Sequence, residues 1–485
     1  MIRVRSLSVL AILAILAILA IAACGEPPVM PIVSADGRSL AAIAGEESYV
    51  IVGANETLPQ DLSAQVHAAG GVLVASYPEI GVATARAASS KFRDRIASVA
   101  GVESVSPDMV VQWVEPTQRF ASQVNATRSG AGGKAGNDET YFSFQWAPKA
   151  IEAPEAWNAG YMGAGVRVAI VDGGIYSKHV DLAPNFDVAA SRSFVPGFAY
   201  NQDIGTFWHG THVAGIVAAA DNGIGTIGIA PKATLIGVKV VQGTSGTFES
   251  IIRGIMYAAK PRDEDGAGAD IINLSLGATL NKNAEGVKQL KKAVDRATNY
   301  ANRHGVTLIA AVGNDETNFD EHEELIVIPA QSAHVIAVSA TGPHGWALGA
   351  TNFSRPTYYT NYGTSLVDVA APGGTDGLFV VDGVDETCTV KGRFRTVTQF
   401  CEIFDYIIST SRGSTSTGAW AWSFGTSMAA PMVSGVAALI IQRNGGHMQP
   451  DEVRERLEQT AIDLGKKGVD EFFGHGWVNA RRAVR

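Results

Sequence analysis

Cysteine is nearly absent: Cys24, Cys388 and Cys401 are the only three in 485 residues. So few thiols exclude a fold stapled by many disulfides. Charge is also scarce, at 18% Asp, Glu, Lys and Arg. No run of Lys or Arg forms a phosphate track, and a net charge of −9 disfavours nucleic acid as a partner. Hydrophobic residues (46%) and 53 glycines fill the space left. The chain is long enough for two or three domains and a large core, with the balance of a compact α/β enzyme.

The first 24 residues read as a targeting segment, not as fold. Arg3 and Arg5 supply positive charge, Leu7 to Ala20 is an apolar repeat of signal-peptide length, and Ile21-Ala22-Ala23-Cys24-Gly25 follows. Small residues directly before a cysteine resemble a bacterial lipobox. Cys24 is therefore expected to carry lipid and to hold the precursor at the membrane of an exported, cell-envelope protein, the alternatives being an ordinary secretory signal with a chance cysteine or an uncleaved membrane anchor. In an exported chain the remaining pair, Cys388 and Cys401, is most simply a disulfide; no histidine accompanies it to make a metal site. The acidic stretch Asp320-Glu321-His322-Glu323-Glu324 reads as a solvated loop.

Three segments carry chemistry. Gly425-Thr426-Ser427-Met428-Ala429-Ala430-Pro431 places a serine at the small-residue start of a helix, where free N–H groups and the dipole can hold an oxyanion. A serine is a poor nucleophile without a base. The run Val166 to Val171 has the β-branched character of a buried parallel strand and ends at Asp172, the edge where α/β folds build their sites. His209-Gly210-Thr211-His212-Val213-Ala214-Gly215 opens an apolar helix, and His209 could face Asp172 on one side and Ser427 on the other. A zinc reading of His209-x-x-His212 is minor, for lack of an accompanying glutamate.

These three blocks, in the order Asp, His, Ser, resemble the signature blocks of the subtilisin-like serine proteases. The resemblance covers about Gln145 to Val484. It implies that Asp270 to Gly277 is a substrate-binding strand, with Leu274, Ser275, Leu276 and Gly277 pairing with an extended peptide. It implies the same wall role for Ala311, Val312 and Gly313, and makes Asn314 an oxyanion donor beside the Ser427 N–H. Val327 would stand at the base of the main specificity pocket where glycine leaves room, which predicts small or medium apolar residues before the scissile bond. A structural calcium is implied by Asp181 and Asn222 side chains with the carbonyls of Ala220, Ile224 and Thr226. Two departures stand out: Gly173 where many relatives have serine or threonine, and an insertion near 374–423.

Residues 46–113 read as β-α-β-β-α-β, the ferredoxin-like order, and resemble the inhibitory prodomain that precedes such catalytic domains. Residues 114–140 turn to Ser, Gly, Ala, Asn and Thr and read as an exposed linker suited to cleavage. From 141 to 485, strands alternate with helices, implying a doubly wound, mostly parallel sheet covered on both faces. The expectation is an exported serine endopeptidase made as an autoprocessed zymogen, acting on protein or peptide substrates and binding its own prodomain. Its rival is a peptide-binding pseudoprotease; an esterase or transpeptidase would use the same acyl-enzyme.

Overall fold

The computed structural model describes residues 46–113, 121–124, 138–202, 208–412 and 418–485. The targeting segment and Cys24 lie outside the described residues.

The N-terminal unit follows the expected order: β1 (Glu47–Gly53), α1 (Leu62–Ala68), β2 (Gly71–Tyr77), β3 (Val82–Ala87), α2 (Phe92–Ala97) and β4 (Val102–Pro107). Its antiparallel sheet runs β2-β3-β1-β4. Period-two alternation gives the sheet two apolar faces. Tyr49 and Ile51 pack under α1 and α2, whereas Val50, Val52, Ile80 and Val82 join the core of the larger unit.

Two sequence-based boundaries are corrected here. The last strand of residues 46–113 stops well short of Trp113: β4 ends at Pro107, with the Asp108 N–H still donating to the Ser48 carbonyl. The chain then crosses to the larger unit, where β5 (Val110–Gln112) pairs antiparallel with β11 (Ser245–Thr247). Nor is 114–140 all linker. β6 (Ala121–Val124) pairs with β21 (Ala419–Ser423), and Glu139 and Thr140 are buried.

The larger unit begins with α3 (Trp146–Ala150) and α4 (Ala153–Asn158). Its central sheet draws on β7 (Arg167–Asp172), β8 (Arg192–Ser193), β9 (Thr234–Lys239), β12 (Ile271–Leu274), β14 (Thr307–Ala311), β16 (Val335–Thr341) and β17 (Val369–Pro372). All are parallel, in the order β17-β16-β14-β12-β7-β9-β8. Val168 and Ile170 face one core with α5 (His209–Ala218) and α9 (Thr426–Arg443). Ala169 and Val171 face the other, under α6 (Phe248–Ala259) and α7 (Val287–Arg303). Every residue of α9 from Thr426 to Ile441 is buried. A helix apolar all round needs a core on every side, and this one carries the serine block through the middle of the protein.

The insertion holds α8 (Gly377–Val380) and a ribbon of β18 (Thr387–Lys391) and β19 (Thr396–Phe400), closed by the expected Cys388–Cys401 disulfide. A second ribbon, β20 (Ile407–Ser411) with β21, packs on α5 and leads straight into α9. The strands β10 (Val241–Gln242), β13 (Ala278–Asn281) and β15 (Leu325–Ile328) and the helices α10 (Pro450–Thr460) and α11 (Ala480–Ala483) complete the unit.

Candidate active site

Parallel strands end together, so β7, β12 and β14 deliver Asp172, Ser275 and the 311–314 turn to one edge of the sheet. Asp172 is fully buried, and its carboxylate accepts from the Nδ1–H of His209 at 2.9 Å to each oxygen. Oδ1 also accepts from the Gly173 N–H at 2.6 Å. With glycine at 173, the aspartate–histidine pair is in place beside it. An imidazole whose Nδ1 proton is held this way presents the Nε2 lone pair as a base.

The nucleophile end is equally organised. Ser427, 5% exposed, donates its hydroxyl to the Ser275 carbonyl at 3.1 Å. Ser275 Oγ in turn donates to the Ser427 carbonyl at 2.8 Å. Asn314 Oδ1 accepts from both the N–H and the hydroxyl of Thr426 at 2.9 Å. Its amide oxygen is pinned by two donors, so the NH2 group is left to point away from them. The Asn314 side chain and the start of α9 thereby border the same cavity of about 410 Å³ as Leu276, Gly277, Ala311 and Gly313.

The other predicted wall residues lie behind that surface. Leu274 and Val312 are fully buried in the sheet, and Val312 N–H donates to the Val338 carbonyl. Val327 is fully buried on β15 and packs against Gly277 instead of lining the cavity. His212 is not a metal ligand partner of His209. Burial pushes its pKa down to about 3, and its Nε2–H donates to the Ala421 carbonyl, tying α5 to β21.

One end of the cavity is occupied by the chain itself, which sequence reasoning missed. The Gly277 N–H donates to the Trp113 carbonyl at 2.9 Å, and Trp113 N–H donates to Thr244. The Trp113 indole donates to Gly246 and rests edge-on against Phe248 at 5.0 Å. Residues 110–113 thus lie between the 245–247 strand and the 275–277 strand, as an extended peptide substrate would.

The residues expected to hold calcium frame the 220–226 turn, and Glu139, outside that set, bonds to the same turn. Asp181 Oδ2 accepts from Thr226 N–H at 3.0 Å and from the Trp420 indole at 2.7 Å, while Oδ1 is buried with no partner. Glu139 Oε1 accepts from Asn222 and Gly223 N–H groups, and its Oε2 is likewise buried with no partner. Burial, with each carboxylate repelling its neighbours, pushes Glu139 up to about 8, and burial pushes Asp181 up to about 7. The carboxylates gathered within 4.8 Å of one another are Asp138, Glu139 and Asp221, and a buried oxygen without a partner beside such a group fits a hard cation. Asn222 Oδ1 accepts from Ile224 N–H, closing the turn that carries Ala220, Ile224 and Thr226. Glu139 was not singled out from sequence; its only signal is an acidic pair, Asp138-Glu139, set before an aromatic stretch.

Comparison with known proteins shows the family. Residues 163–476 match the sequence profile described as the Subtilase family. Subtilisin DY of Bacillus licheniformis is 34% identical over 69% of this chain and 96% of its own. Thermitase of Thermoactinomyces vulgaris is 33% identical over 72% of this chain and 99% of its own. Among solved structures, the epidermin leader peptide processing serine protease of Staphylococcus aureus superposes with a TM-score of 0.68 at 23% identity, over 90% of this chain and 98% of the other. At that identity the likeness speaks for the fold alone.

Proposed function

Because the chain belongs to the subtilase family and is a subtilisin-like serine peptidase, we propose that Asp172, His209 and Ser427 are its catalytic triad and Asn314 its oxyanion donor. The observation that carries this reading is the buried Asp172–His209 pair, set on the same sheet edge as Ser427 and Asn314. In the reaction the Ser427 hydroxyl exchanges its resting bond to Ser275 for one to His209 Nε2 and attacks the scissile carbonyl. His209 takes the proton, and Asp172 holds the tautomer and stabilises the imidazolium. The tetrahedral oxyanion sits between the Asn314 amide and the Ser427 N–H at the start of α9. His209 then protonates the leaving amine, and water, activated by the same imidazole, releases the acyl group.

Residues 46–113 act in this proposal as the inhibitory prodomain, with Trp113 and β5 filling the substrate cleft before and after cutting. Support comes from the strand pairing of β5 and from the shared core between the small sheet and α6 and α7. Since β6 is already sheet-paired with the peptidase, cutting is expected to leave a mature fragment that begins between 114 and 121. The signal and lipobox reading then has Cys24 holding the prodomain, and through it the cut enzyme, at the cell envelope. Calcium, where bound by Asp181, Glu139 and the 220–226 turn, would supply positive charge that fixes this loop. The expected preference for small or medium apolar residues before the scissile bond is not carried by Val327, which lies off the cavity surface, and a peptide library favouring Phe or Tyr at that position would refute it.

A fluorophosphonate probe tests the central claim. It should label the wild-type enzyme at Ser427, and the Ser427→Ala protein should remain unlabelled and full-length. An unlabelled, correctly folded wild type would make the chain a peptide-binding pseudoprotease. Trimming of Ser427→Ala at the same place would assign the cut to another protease. A Cys24→Ala precursor still held at the membrane would remove the lipid anchor.

A further inference from the structure

Arg296 sits on α7 of the peptidase unit, yet its side chain is spent on the small N-terminal unit. It is only 4% exposed. Nη1 donates to the carbonyls of Gly53 (3.0 Å), Ile80 (3.2 Å) and Gly81 (3.0 Å). Nη2 donates to Gly53 O at 3.0 Å and to Glu103 at 3.4 Å. Lys292, one turn earlier on α7, pairs with the same Glu103.

The three carbonyls converge for a local reason. The β1–β4 register shifts between Val52 and Gly53, and the turn Pro78–Ile80 closes on Gly81 in left-handed conformation. A Cβ on Gly81 would stand 2.3 Å from the Glu56 carbonyl carbon, so only glycine makes this turn. The result is a cradle of backbone oxygens that fits the planar, multi-donor fork of a guanidinium, whereas an ammonium is a single point charge. A buried cation must be matched by acceptors on nearly every N–H to be tolerated, and here the matching acceptors belong to the N-terminal unit.

We propose that Arg296 is the latch that sets how long the N-terminal unit stays on the peptidase after cutting, held as a guanidinium in the Gly53–Ile80–Gly81 carbonyl cradle. This rests on the inhibitory reading of residues 46–113. Every recorded partner of the guanidinium lies in that unit and none in the cleft, so the latch governs release and leaves the chemistry of the freed enzyme alone.

The test uses full-length wild type, Arg296→Met and Arg296→Lys. Cutting is followed on gels, retention of the N-terminal fragment by co-elution in size exclusion, and activity by hydrolysis of labelled casein. Removing a charged donor from buried acceptors should shorten the interval between cutting and full activity at least about tenfold in Arg296→Met. Arg296→Lys should lie between it and wild type, and all three should reach the same final turnover. Unchanged intervals and unchanged co-elution in both variants would overturn the latch. Full casein hydrolysis by a cut wild type that still carries its fragment would refute the inhibitory reading instead, leaving the latch to be judged on co-elution. If Arg296→Met does not fold, Glu103→Gln joins Arg296→Lys. Glu103→Gln should shorten the interval about two- to threefold by weakening one contact, and no change in either would again overturn the latch.

Discussion

Gly210 lies so close to Asp172 that a Cβ added to it would stand 2.9 Å from Asp172 Oδ1 and 2.3 Å from the Gly174 carbonyl oxygen. The first turn of α5 can approach the aspartate only because that methyl is missing. Gly210→Ala is therefore expected to push His209 off Asp172. Activity should fall by at least about a hundredfold, the scale of loss from a misplacement near 1 Å. Circular dichroism should be nearly unchanged, and a variant within twofold of wild-type kcat/KM would show that α5 can shift at no catalytic loss.

Asn314 is aimed by Thr426, which donates twice to its amide oxygen. Asn314→Leu should lower kcat about 10²- to 10³-fold with little change in KM, as loss of an oxyanion donor does. Thr426→Val keeps the volume and one of the two donors, so a smaller loss of kcat is expected. Steady-state kinetics on one peptide substrate separates the two, and equal losses in KM would place Asn314 in ground-state binding.

Chelation of the mature enzyme should lower its melting temperature, and added calcium should restore it in proportion to occupancy. Asp181→Asn and Glu139→Gln should each blunt that response, because each removes one of the two partnerless buried oxygens. Equal melting curves with calcium and with chelator would dismiss the site.

The hold of the N-terminal unit should depend on pH through Asp108. This carboxyl is buried at the interface, accepting from the Glu249 N–H at the start of α6. Burial, and then the nearby Glu249 carboxylate (itself paired with Arg253), pushes it up to about 7 in the docked state. Freed, it returns to about 3.9. A pKa raised on docking means docking is favoured by the protonated form. The advantage is complete below about pH 4 and is lost as pH rises through about 7. Release after cutting should accelerate across that window and level off above it, and Asp108→Asn should flatten the profile. A wild-type release rate that falls with rising pH would contradict the assignment.

Short local motifs made the proposed triad legible: Asp172, His209 and Ser427 each sit in a block whose glycines and small residues announce a tight turn or close approach. The parallel sheet was legible because buried strands such as Val166–Val171 and Leu308–Val312 are nearly unbroken apolar runs. What stayed hidden depends on tertiary partners. Arg296 looks like one more charge on a polar helix face, and only the carbonyls of Gly53, Ile80 and Gly81 give it a purpose. Glu139 stands among Asn, Asp and Thr in a stretch that reads as linker, while β6, Ala121–Val124, has too little apolar pattern to declare itself a strand. Trp113 misleads in the opposite sense, since an aromatic after Val110 and Val111 continues a strand pattern that belongs to another sheet.

Glu139 also ties the segment ahead of α3 to the 220–226 turn. Its carboxylate caps the N–H groups of Asn222 and Gly223, and Tyr141 N–H donates to the Gly225 carbonyl. Asp138 and Asp221 add carboxylate oxygens within 4.8 Å of those of Glu139, so the segment ahead of α3 and the 220–226 turn are held as one piece. A chain trimmed past residue 139 would lose the acceptor that Glu139 offers to Asn222 and Gly223, and raggedness at the amino end of the peptidase would then show as heterogeneity in its melting.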